Sequence, residues 1–280
     1  MLREMGTLYV VTTPIGNLED ITLRALRVLG EVSLIAAEDT RTTRKLLTRY
    51  HLHVPLVSYN EHNSAGRTPR ILEALAGGDV ALVSDAGAPG VSDPGSSLVR
   101  DAAEHGHTVT PVPGPSSVTT AVSAAGLPGD AFCFLGFLPR TKKARRALLN
   151  SAATLPWTLV AFETPHRLRA SLEDILASLG DRPMTVCREL TKLHEELYRG
   201  VISDALEHFQ TPRGEFVLVI EGASSIRGGA LETPITEPID DNALREQLTT
   251  LKAQGVTARD AAAQLGTPRG VVYKLWRDIN

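Results

Sequence analysis

Apolar, β-branched runs alternate with segments of helical periodicity along the first 112 residues of the chain. The strand-like runs lie at residues 7–13, 32–37, 80–84 and 108–112. Between them, apolar residues recur at helical spacing, as in Ile21, Ala25 and Val28 or Ile71, Leu72 and Leu75. This alternation predicts an α/β unit built on a parallel or mostly parallel sheet.

A second series of the same kind follows. Its strand-like runs lie at residues 131–135, 158–162, 184–187 and 216–220, with helical patterns near 145–149, 168–179 and 203–209. The joint is Pro111–Ser117, where three prolines and a glycine stiffen the chain and two serines open a helix through Val118–Ala125. We therefore expect one α/β domain at residues 1–115 and another at residues 116–222.

The last 58 residues have a different pattern. Residues 223–240 are rich in Gly, Ser, Pro and acids and carry no clear period, which is typical of a linker. In residues 241–280, three short helices are predicted around Leu248, Ala261 and Val272, at a spacing that resembles a helix-turn-helix module. Its excess of basic residues is slight, so a docking or packing role fits as well as nucleic-acid binding.

The most informative loop is Asp85–Gly95, which joins a strand-like run to a helical pattern. It holds three glycines and two prolines, at the position where open α/β sheets bind ligands. The glycines allow positive φ values or a close approach of the backbone to a ligand. A plain turn that caps the next helix, with Ser92 or Asp93 as the cap, is the simpler alternative.

Composition narrows the choice of function. The net charge is -3 and the hydrophobic content is 42%, so any nucleic acid would have to be held by local patches. Cys133 and Cys187, the two cysteines, are far apart, which excludes zinc fingers and cluster-bearing radical enzymes and fits a reducing compartment. The chain has no run of about 20 apolar residues and no signal-peptide pattern at its start, so we expect a soluble, cytoplasmic protein without a metal.

Acidic residues next to arginines follow several strands. Asp39 and Arg41 follow the second run, and Glu163 follows a run of the second series. Each acid taken alone is more typical of a helix cap, but their shared position at strand ends indicates the edge of one cleft. Neither GxGxxG nor GxxxxGK[ST] occurs, which argues against a Rossmann enzyme and a P-loop nucleotidase.

Two basic clusters interrupt the acidic background. The first comprises Arg41, Arg44, Lys45 and Arg49 at helical spacing, and the second lies in residues 140–146. Phosphate contacts would explain both clusters, and so would solvated helix faces. We name Arg44, Lys45, Arg140, Lys142, Lys143, Arg145 and Arg146 as candidate RNA-binding residues.

Six ordered motifs resemble one family. They are PIGNLEDIT at 14–22, AEDTR at 37–41, SDAGAPGVSDPG at 84–95, PGPSS at 113–117, GFLP at 136–139 and FETPHR at 162–167. Together they closely resemble the bacterial 16S ribosomal RNA ribose 2′-O-methyltransferases of the tetrapyrrole methylase superfamily. The resemblance covers residues 6–222, and the tail looks like the helix-turn-helix extension of that family. The sequence Ser84-Asp85-Ala86, where relatives acting on tetrapyrroles have a GDP-type loop, favours the RNA branch.

The resemblance implies a class III methyltransferase fold, a homodimer and S-adenosylmethionine in a cleft between two α/β domains. It also implies methylation of a cytidine ribose in the decoding centre of the small ribosomal subunit. By motif, the expected cofactor-binding residues are Pro14, Ile15, Gly16, Asp85, Ala86, Gly87, Val91, Ser92, Ser116, Ser117, Phe162 and, more weakly, Glu215.

The implied reaction is an attack by a ribose hydroxyl on a sulfonium methyl group, which needs positioning and a proton acceptor. We take Asp39 and Glu163 as candidates for the base or aligner, and Arg41 as a residue that orients a phosphate or an acid. Two alternatives remain open. One is a corrinoid or other small-molecule methyltransferase of the same fold, and the other is a ligand-sensing regulator that binds nucleic acid.

Overall fold

We analysed a computed structural model of the 280-residue chain, which describes residues 6–223, 241–254, 256–258, 261, 265, 275 and 276. The chain divides into two compact units, residues 1–225 and 226–280. The described part of the first unit contains two five-stranded sheets and the helices packed on them. Among the described residues, none of the helices is long and apolar enough to cross a membrane.

The first sheet is built from strands between residues 7 and 112. The elements are β1 (Thr7–Val11), α1 (Leu23–Glu31), β2 (Leu34–Ala37), α2 (Thr40–Arg49), β3 (Leu56–Ser58), α3 (Ser64–Leu75), β4 (Val80–Val83), α4 (Ser96–Glu104) and β5 (Thr108–Val112). The strand order is β3-β2-β4-β1-β5, and all paired strands are parallel. The predicted parallel sheet is confirmed.

The two faces of this sheet are covered by different helices. Buried residues of α1 and α2, such as Val28 and Leu46, pack on one face. Residues of α3 and α4, such as Ile71 and Leu98, pack on the other. The loops after β1 and β2 therefore lead to one face, whereas the loop after β4, which lies between them in the sheet, leads to the opposite face. Loops that diverge in this way at the carboxyl ends of adjacent strands open a crevice for a ligand.

The second sheet begins after α5 (Ser117–Ala125). Its elements are β6 (Phe132–Phe137), α6 (Lys142–Ala152), β7 (Thr158–Glu163), α7 (Pro165–Leu179), β8 (Pro183–Arg188), β9 (Glu196–Val201), α8 (Ile202–His208) and β10 (Phe216–Ile220). The strand order is β6-β7-β10-β8-β9. Only β6 and β7 pair in parallel, and β10 pairs antiparallel with both of its neighbours, so this sheet is mixed.

Helix α5 connects the two sheets and covers one face of the second. Val118, Ala121 and Ala125 on α5 pack against buried residues of β7, β8 and β10. Ile15, from the loop after β1, belongs to the same apolar cluster. The opposite face of the second sheet carries α6, α7 and α8, with Leu149, Leu168 and Ile202 in its core. The loops of the first sheet thus meet the second sheet on its α5 face.

In the second unit, the predicted first helix is present as α9 (Asp241–Ala253). Leu244 and Leu248 of α9 are buried together with Ala261 and Leu275. The predicted linker at 223–240, apart from Ala223, lies outside the described residues. So do Gly255, the turn at 266–268 and most positions of the second and third predicted helices, including residues 269–274.

Candidate active site

The inter-sheet cavity, of about 390 Å³, lies where the loops of the first sheet meet the second sheet. Its walls include Ile15, Glu38, Asp85, Ala86, Gly87, Ala88, Val91, Ser92, Asp93, Ser116, Ser117, Val118, Phe137, Phe162, Glu163, Thr164, Pro165, Cys187, Leu190, Glu215, Phe216 and Val217. These residues come from the carboxyl ends of β1, β2 and β4, from the start of α5 and from the second sheet. The volume falls in the range of about 300–1,000 Å³ that is usual for small-molecule sites.

The Asp85–Gly95 loop has the backbone conformation that its glycines predict. Gly87, Gly90 and Gly95 have φ values of 78°, 83° and 144°. Ser92 has φ 61°, a conformation that is costly for a residue with a side chain and that is enriched at functional sites. Gly87 also forms an antiparallel bridge with Thr13, with N···O distances of 2.9 and 3.0 Å, which ties this loop to the loop after β1. The alternative of a simple cap fails, because the helix cap is Gly95 and neither Ser92 nor Asp93 occupies that position.

One half of the cavity is apolar. Phe162 lies edge-on to both Phe134 and Phe137, with ring centroids 4.9 and 5.3 Å apart. Ile15 and Leu190, which both belong to the α5-side apolar cluster, also line the cavity. Cys187 is buried there, and burial raises the pKa of its thiol to about 12, so it stays protonated and acts as a small apolar residue. Such walls suit a flat heteroaromatic group.

The other half is acidic and holds a connected set of carboxylates. Glu38 accepts a hydrogen bond from the Asp85 backbone N–H at 3.2 Å, and Asp85 accepts one from the Asp39 backbone N–H at 3.1 Å. Burial raises the pKa values of Glu38 and Asp85. Burial, with added repulsion from Glu38 and Asp85, raises the pKa of Asp93 to about 6, although the nearby Ser84 hydroxyl opposes this. Carboxylates in this arrangement favour a cationic ligand group.

A second cavity, which we call the side cavity, adjoins the first. It measures about 550 Å³ and is lined by Glu38, Asp39, Thr40, Arg41, Ser58, Asn60, Glu61, His62, Ser92 and Pro94. Glu38 and Ser92 line both cavities, so the two spaces meet there. Most residues of the side cavity carry hydrogen-bonding or charged groups, which suits a polar ligand.

A shallow depression continues from the side cavity along the exposed face of α2. It is lined by Arg41, Arg44, Lys45, Thr48 and Arg49, so Arg41 belongs to both. The inter-sheet cavity, the side cavity and this basic face therefore form a continuous series. Sequence analysis predicted the basic face but not its connection to the cavity. The loop at 58–62 completes the side cavity, and it follows β3, a strand of only three residues that the sequence pattern did not predict.

Most predicted cofactor-binding residues line the inter-sheet cavity, and two do not. Pro14 is buried beside it. Gly16 lies against the segment after β8: a Cβ at Gly16 would lie 2.6 Å from the Thr191 hydroxyl and 2.8 Å from the Leu190 carbonyl oxygen. Gly16 therefore allows two loops to approach closely, and it contributes to the site by bringing the segment with Leu190 next to Ile15.

The predicted bases are both held by other contacts. Asp39 caps α2 through the Arg41 N–H at 2.8 Å and pairs with the Arg41 guanidinium at 2.6 Å, which lowers the pKa of the carboxyl to about 2. Glu163 is buried and accepts hydrogen bonds from the Thr164 N–H at 2.7 Å and from Ser171 and Arg167. Asp39 and Arg41 line the side cavity, whereas Glu163 lines the inter-sheet cavity. These contacts do not favour either carboxylate as a proton acceptor.

The basic cluster after β6 is divided by burial. Arg140, Lys142 and Lys143 are exposed. Arg145 is only 5% exposed and donates to Asp174 at 2.9 and 2.5 Å, while its remaining nitrogen bonds the carbonyls of Pro139 and Arg140. The prediction that Arg145 contacts RNA is therefore corrected: it is an internal residue that joins α6 to α7. Arg146 also bonds Asp174, at 2.6 Å, but remains partly exposed.

Sequence reasoning passed over Glu38 and Asp93. Both stand inside the quoted motifs, but Glu38 precedes the more obvious capping residue Asp39, and Asp93 was weighed only as a helix cap. The alternation of side chains along the strand was the feature of the sequence that could have distinguished Glu38 from Asp39. In β2 the side chains alternate between the two faces, so neighbouring residues Glu38 and Asp39 point in different directions as the strand ends. Among the described residues, no group of three or more His, Cys, Asp or Glu side chains is arranged to hold a metal ion.

Residues 7–206 match the family described as Tetrapyrrole (Corrin/Porphyrin) Methylases, and the chain belongs to that family. The family resemblance of the motifs is thereby confirmed.

The chain also resembles curated relatives that share one name, Ribosomal RNA small subunit methyltransferase I. It is 45% identical over 280 residues to that of Synechocystis sp., with 97% of each chain covered. It is 52% identical to that of Thermotoga maritima over 221 residues, which cover 78% of this chain and 99% of the relative. The Thermotoga protein is thus matched almost completely by about four fifths of this chain.

Solved structures show the same fold at lower identity. The methyltransferase CobJ superposes with a TM-score of 0.61 at 22% identity, covering 80% of this chain and 97% of that one. The uroporphyrin-III C-methyl transferase of Thermus thermophilus, complexed with S-adenyl homocysteine, gives 0.55 at 21% identity, covering 78% and 98%. At these identities the likeness establishes the fold, which is the predicted class III methyltransferase fold.

Proposed function

We propose that the chain is an S-adenosylmethionine-dependent methyltransferase that modifies a cytidine ribose at its 2′-oxygen in 16S ribosomal RNA. The observation that carries this is the inter-sheet cavity, whose lining includes residues from all six motifs. The curated relatives at 41–52% identity, all named for small-subunit ribosomal RNA, support the RNA substrate.

The cavity residues fit the proposed cofactor part by part. Its apolar half, with Phe162 and Ile15, would hold the adenine ring, and its acidic half would offset the positive charge of the sulfonium and amino groups. Ser116 and Ser117 begin α5 at the cavity wall, and Ser116 makes no side-chain capping bond, so the helix start is available to a carboxylate. When bound, the cofactor supplies an electrophilic methyl group.

We assign the RNA to the basic surfaces that remain exposed. These are Arg44 and Lys45 on α2, and Arg140, Lys142 and Lys143 at the start of α6, together with the partly exposed Arg146. The α2 residues lead towards the side cavity through Arg41. Guanidinium and ammonium groups in such a series hold a phosphate backbone in register while one nucleotide enters the cavity. We assign Arg41 this anchoring role.

The test is to supply labelled S-adenosylmethionine with either purified 30S particles or naked 16S ribosomal RNA and to map the labelled nucleoside. We expect one labelled cytidine whose phosphodiester bond resists alkali, because a methylated 2′-oxygen cannot attack the adjacent phosphate. Label on a base, or label only on an added tetrapyrrole, would overturn the proposal. Comparison of the two RNA samples identifies the substrate form.

The domain boundaries, assembly and location remain proposals as well. A boundary at residues 115 and 116 is supported by α5, which follows it and packs on the second sheet. A homodimer would give a molar mass by light scattering of twice the 30.1 kDa of the chain. The mass of a monomer at micromolar concentration would contradict the homodimer. A cytoplasmic location follows from a ribosomal substrate and agrees with the free thiols of Cys133 and Cys187.

A further inference from the structure

Residues 91–94 form the partition between the inter-sheet cavity and the side cavity. Val91, Ser92 and Asp93 line the inter-sheet cavity, whereas Ser92 and Pro94 line the side cavity. Ser92 stands at φ 61° at the centre of this partition. Consecutive side chains of this short loop therefore face two different spaces.

A transfer reaction between two bound molecules must occur where their cavities meet, because the reacting atoms have to approach to about 3–3.5 Å. The shared lining residues, Glu38 and Ser92, mark that place. Asp93 follows Ser92 directly and projects on the inter-sheet side. Glu38 is therefore the carboxylate at the meeting point itself, and Asp93 and Asp85 line the inter-sheet cavity beside it.

These three carboxylates differ in their contacts. Glu38 and Asp85 each accept a hydrogen bond from a backbone N–H, at 3.2 and 3.1 Å, and so are fixed to neighbouring loops. The Ser84 hydroxyl is near enough to Asp93 to lower its pKa, but its hydrogen bonds, at 3.4 and 3.5 Å, go to the Gly87 and Ala86 carbonyl oxygens and do not hold the Asp93 carboxylate. A group that must take up a proton needs an oxygen that is not held by a backbone donor, and among these three carboxylates of the described chain Asp93 is the one that meets this condition.

We propose that Asp93 is the catalytic residue that accepts the proton of the acceptor hydroxyl, with the acceptor ribose held in the side cavity. This rests on the proposed methyltransferase function. The hydroxyl oxygen forms a bond to the methyl carbon, the carbon–sulfur bond breaks with its electron pair passing to sulfur, and the hydroxyl proton passes to the Asp93 carboxylate. The products are the methyl ether, the neutral thioether and protonated Asp93.

The surroundings of Asp93 are consistent with this task. The charged groups that face the two cavities are Glu38, Asp39 and Arg41 from β2 and α2, Asp85 after β4, Glu61 and the titratable His62 after β3, and Glu163 and Glu215 from the second sheet. Burial together with the repulsion from Glu38 and Asp85 brings the pKa of Asp93 to about 6, near the working pH of a general base. Asp39, at about 2, is a much weaker base.

The test is single-turnover methylation of 30S particles between pH 5 and 9 by the full-length protein and three variants. For wild type, we expect a rate that rises with unit slope and levels off near pH 6. Asp93→Asn should lower the plateau by about 100-fold or more and abolish the rising limb. Asp93→Glu should retain the limb. Glu104→Gln, an exposed carboxylate at the end of α4, should match wild type.

A binding measurement separates catalysis from cofactor binding. By calorimetry, Asp93→Asn should bind S-adenosylhomocysteine within about threefold of wild type, and its thermal midpoint should not fall. An unchanged rate in Asp93→Asn would overturn the proposal. A loss of S-adenosylhomocysteine binding as large as the loss of rate would also overturn it. So would a pH profile whose rising limb disappears in Glu38→Gln and persists in Asp93→Asn. If wild type itself fails to label the particles, the proposed function fails instead, and the two failures are distinguishable.

Discussion

The buried pair of Arg145 and Asp174 yields a quantitative prediction about stability. The side chains are 6% and 3% exposed, and the pair joins α6 to α7 through contacts of 2.9 and 2.5 Å. Asp174→Ala removes the counter-ion and leaves the guanidinium buried with only two carbonyl partners. Removal of one partner from a buried pair costs about 3–5 kcal/mol. That is a large share of the roughly 5–15 kcal/mol by which domains are stable.

The assay is equilibrium urea unfolding followed by circular dichroism. With a slope of about 3 kcal/mol per molar urea, the midpoint should fall by about 1–1.7 M. Asp101→Ala is the control: its ion pair with Arg100 spans 3.5 Å at the surface, and its loss should cost less than about 1 kcal/mol.

The pH dependence of the stability of Asp174→Ala follows from the direction in which the pKa of Asp174 is shifted in the folded protein. The pKa of Asp174 is lowered in the folded state: burial opposes this, and the bonds from Arg146 and Arg145 outweigh it. The stabilisation is therefore fully present above the unfolded pKa of about 3.9 and is lost as the pH falls through the lower folded pKa. The deficit of Asp174→Ala should be constant from pH 5 to 8. A cost below 1 kcal/mol, or a deficit that changes within that range, would refute the reasoning.

Three further outcomes can be measured. Gly16→Ala should destabilise the protein by about 1–3 kcal/mol, because its Cβ would meet a carbonyl oxygen at 2.8 Å, whereas Gly66→Ala in α3, with open space around it, should be neutral or stabilising in thermal melts. Asp93→Asn should raise the free energy of unfolding by about 1–2 kcal/mol at pH 8, after allowance for partial exposure, but not at pH 4. The reason is that a carboxyl with a raised pKa lowers the stability of the folded protein as the pH rises through about 6. Equal gains in stability at pH 4 and pH 8 would contradict this. Lys142→Gln should reduce the salt dependence of 30S binding, and a variant that leaves the slope unchanged removes Lys142 from the RNA surface.

The sequence predicted four of the five described strands in each sheet, most clearly where a strand is buried on both faces. β4 has four buried residues in succession and reads as a continuous apolar run. β3 and β9 were not predicted. β3 has three residues, and β9 lies at a sheet edge, where Glu196 and Arg199 interrupt the pattern. Hydrophobic periodicity identifies burial, so edge strands give little signal.

For the site, the order of the motifs in the sequence was informative, but the sequence did not reveal in which direction individual side chains point. The Asp85–Ser92 stretch was placed correctly at a cavity, since glycines with positive φ need a reason beyond a cap. The sequence could not distinguish Glu38 from Asp39, or separate Arg145 from its exposed neighbours. Both distinctions depend on which way a side chain points at the end of a strand or on one turn of a helix, and Asp174, which decides the second, lies 29 residues further along the chain.

The cavity takes its walls from both sheets, from Ile15 near the start of the first unit to Val217 near its end. A ligand held there acts as a cross-link that the folded chain has and the unfolded chain lacks. At 100 times its dissociation constant, such a ligand adds about 2.7 kcal/mol to the free energy of unfolding. Because its contacts span the two sheets, that gain belongs to their association as much as to either sheet alone. The concentration of the cofactor would then set how firmly the two halves of the enzyme are joined.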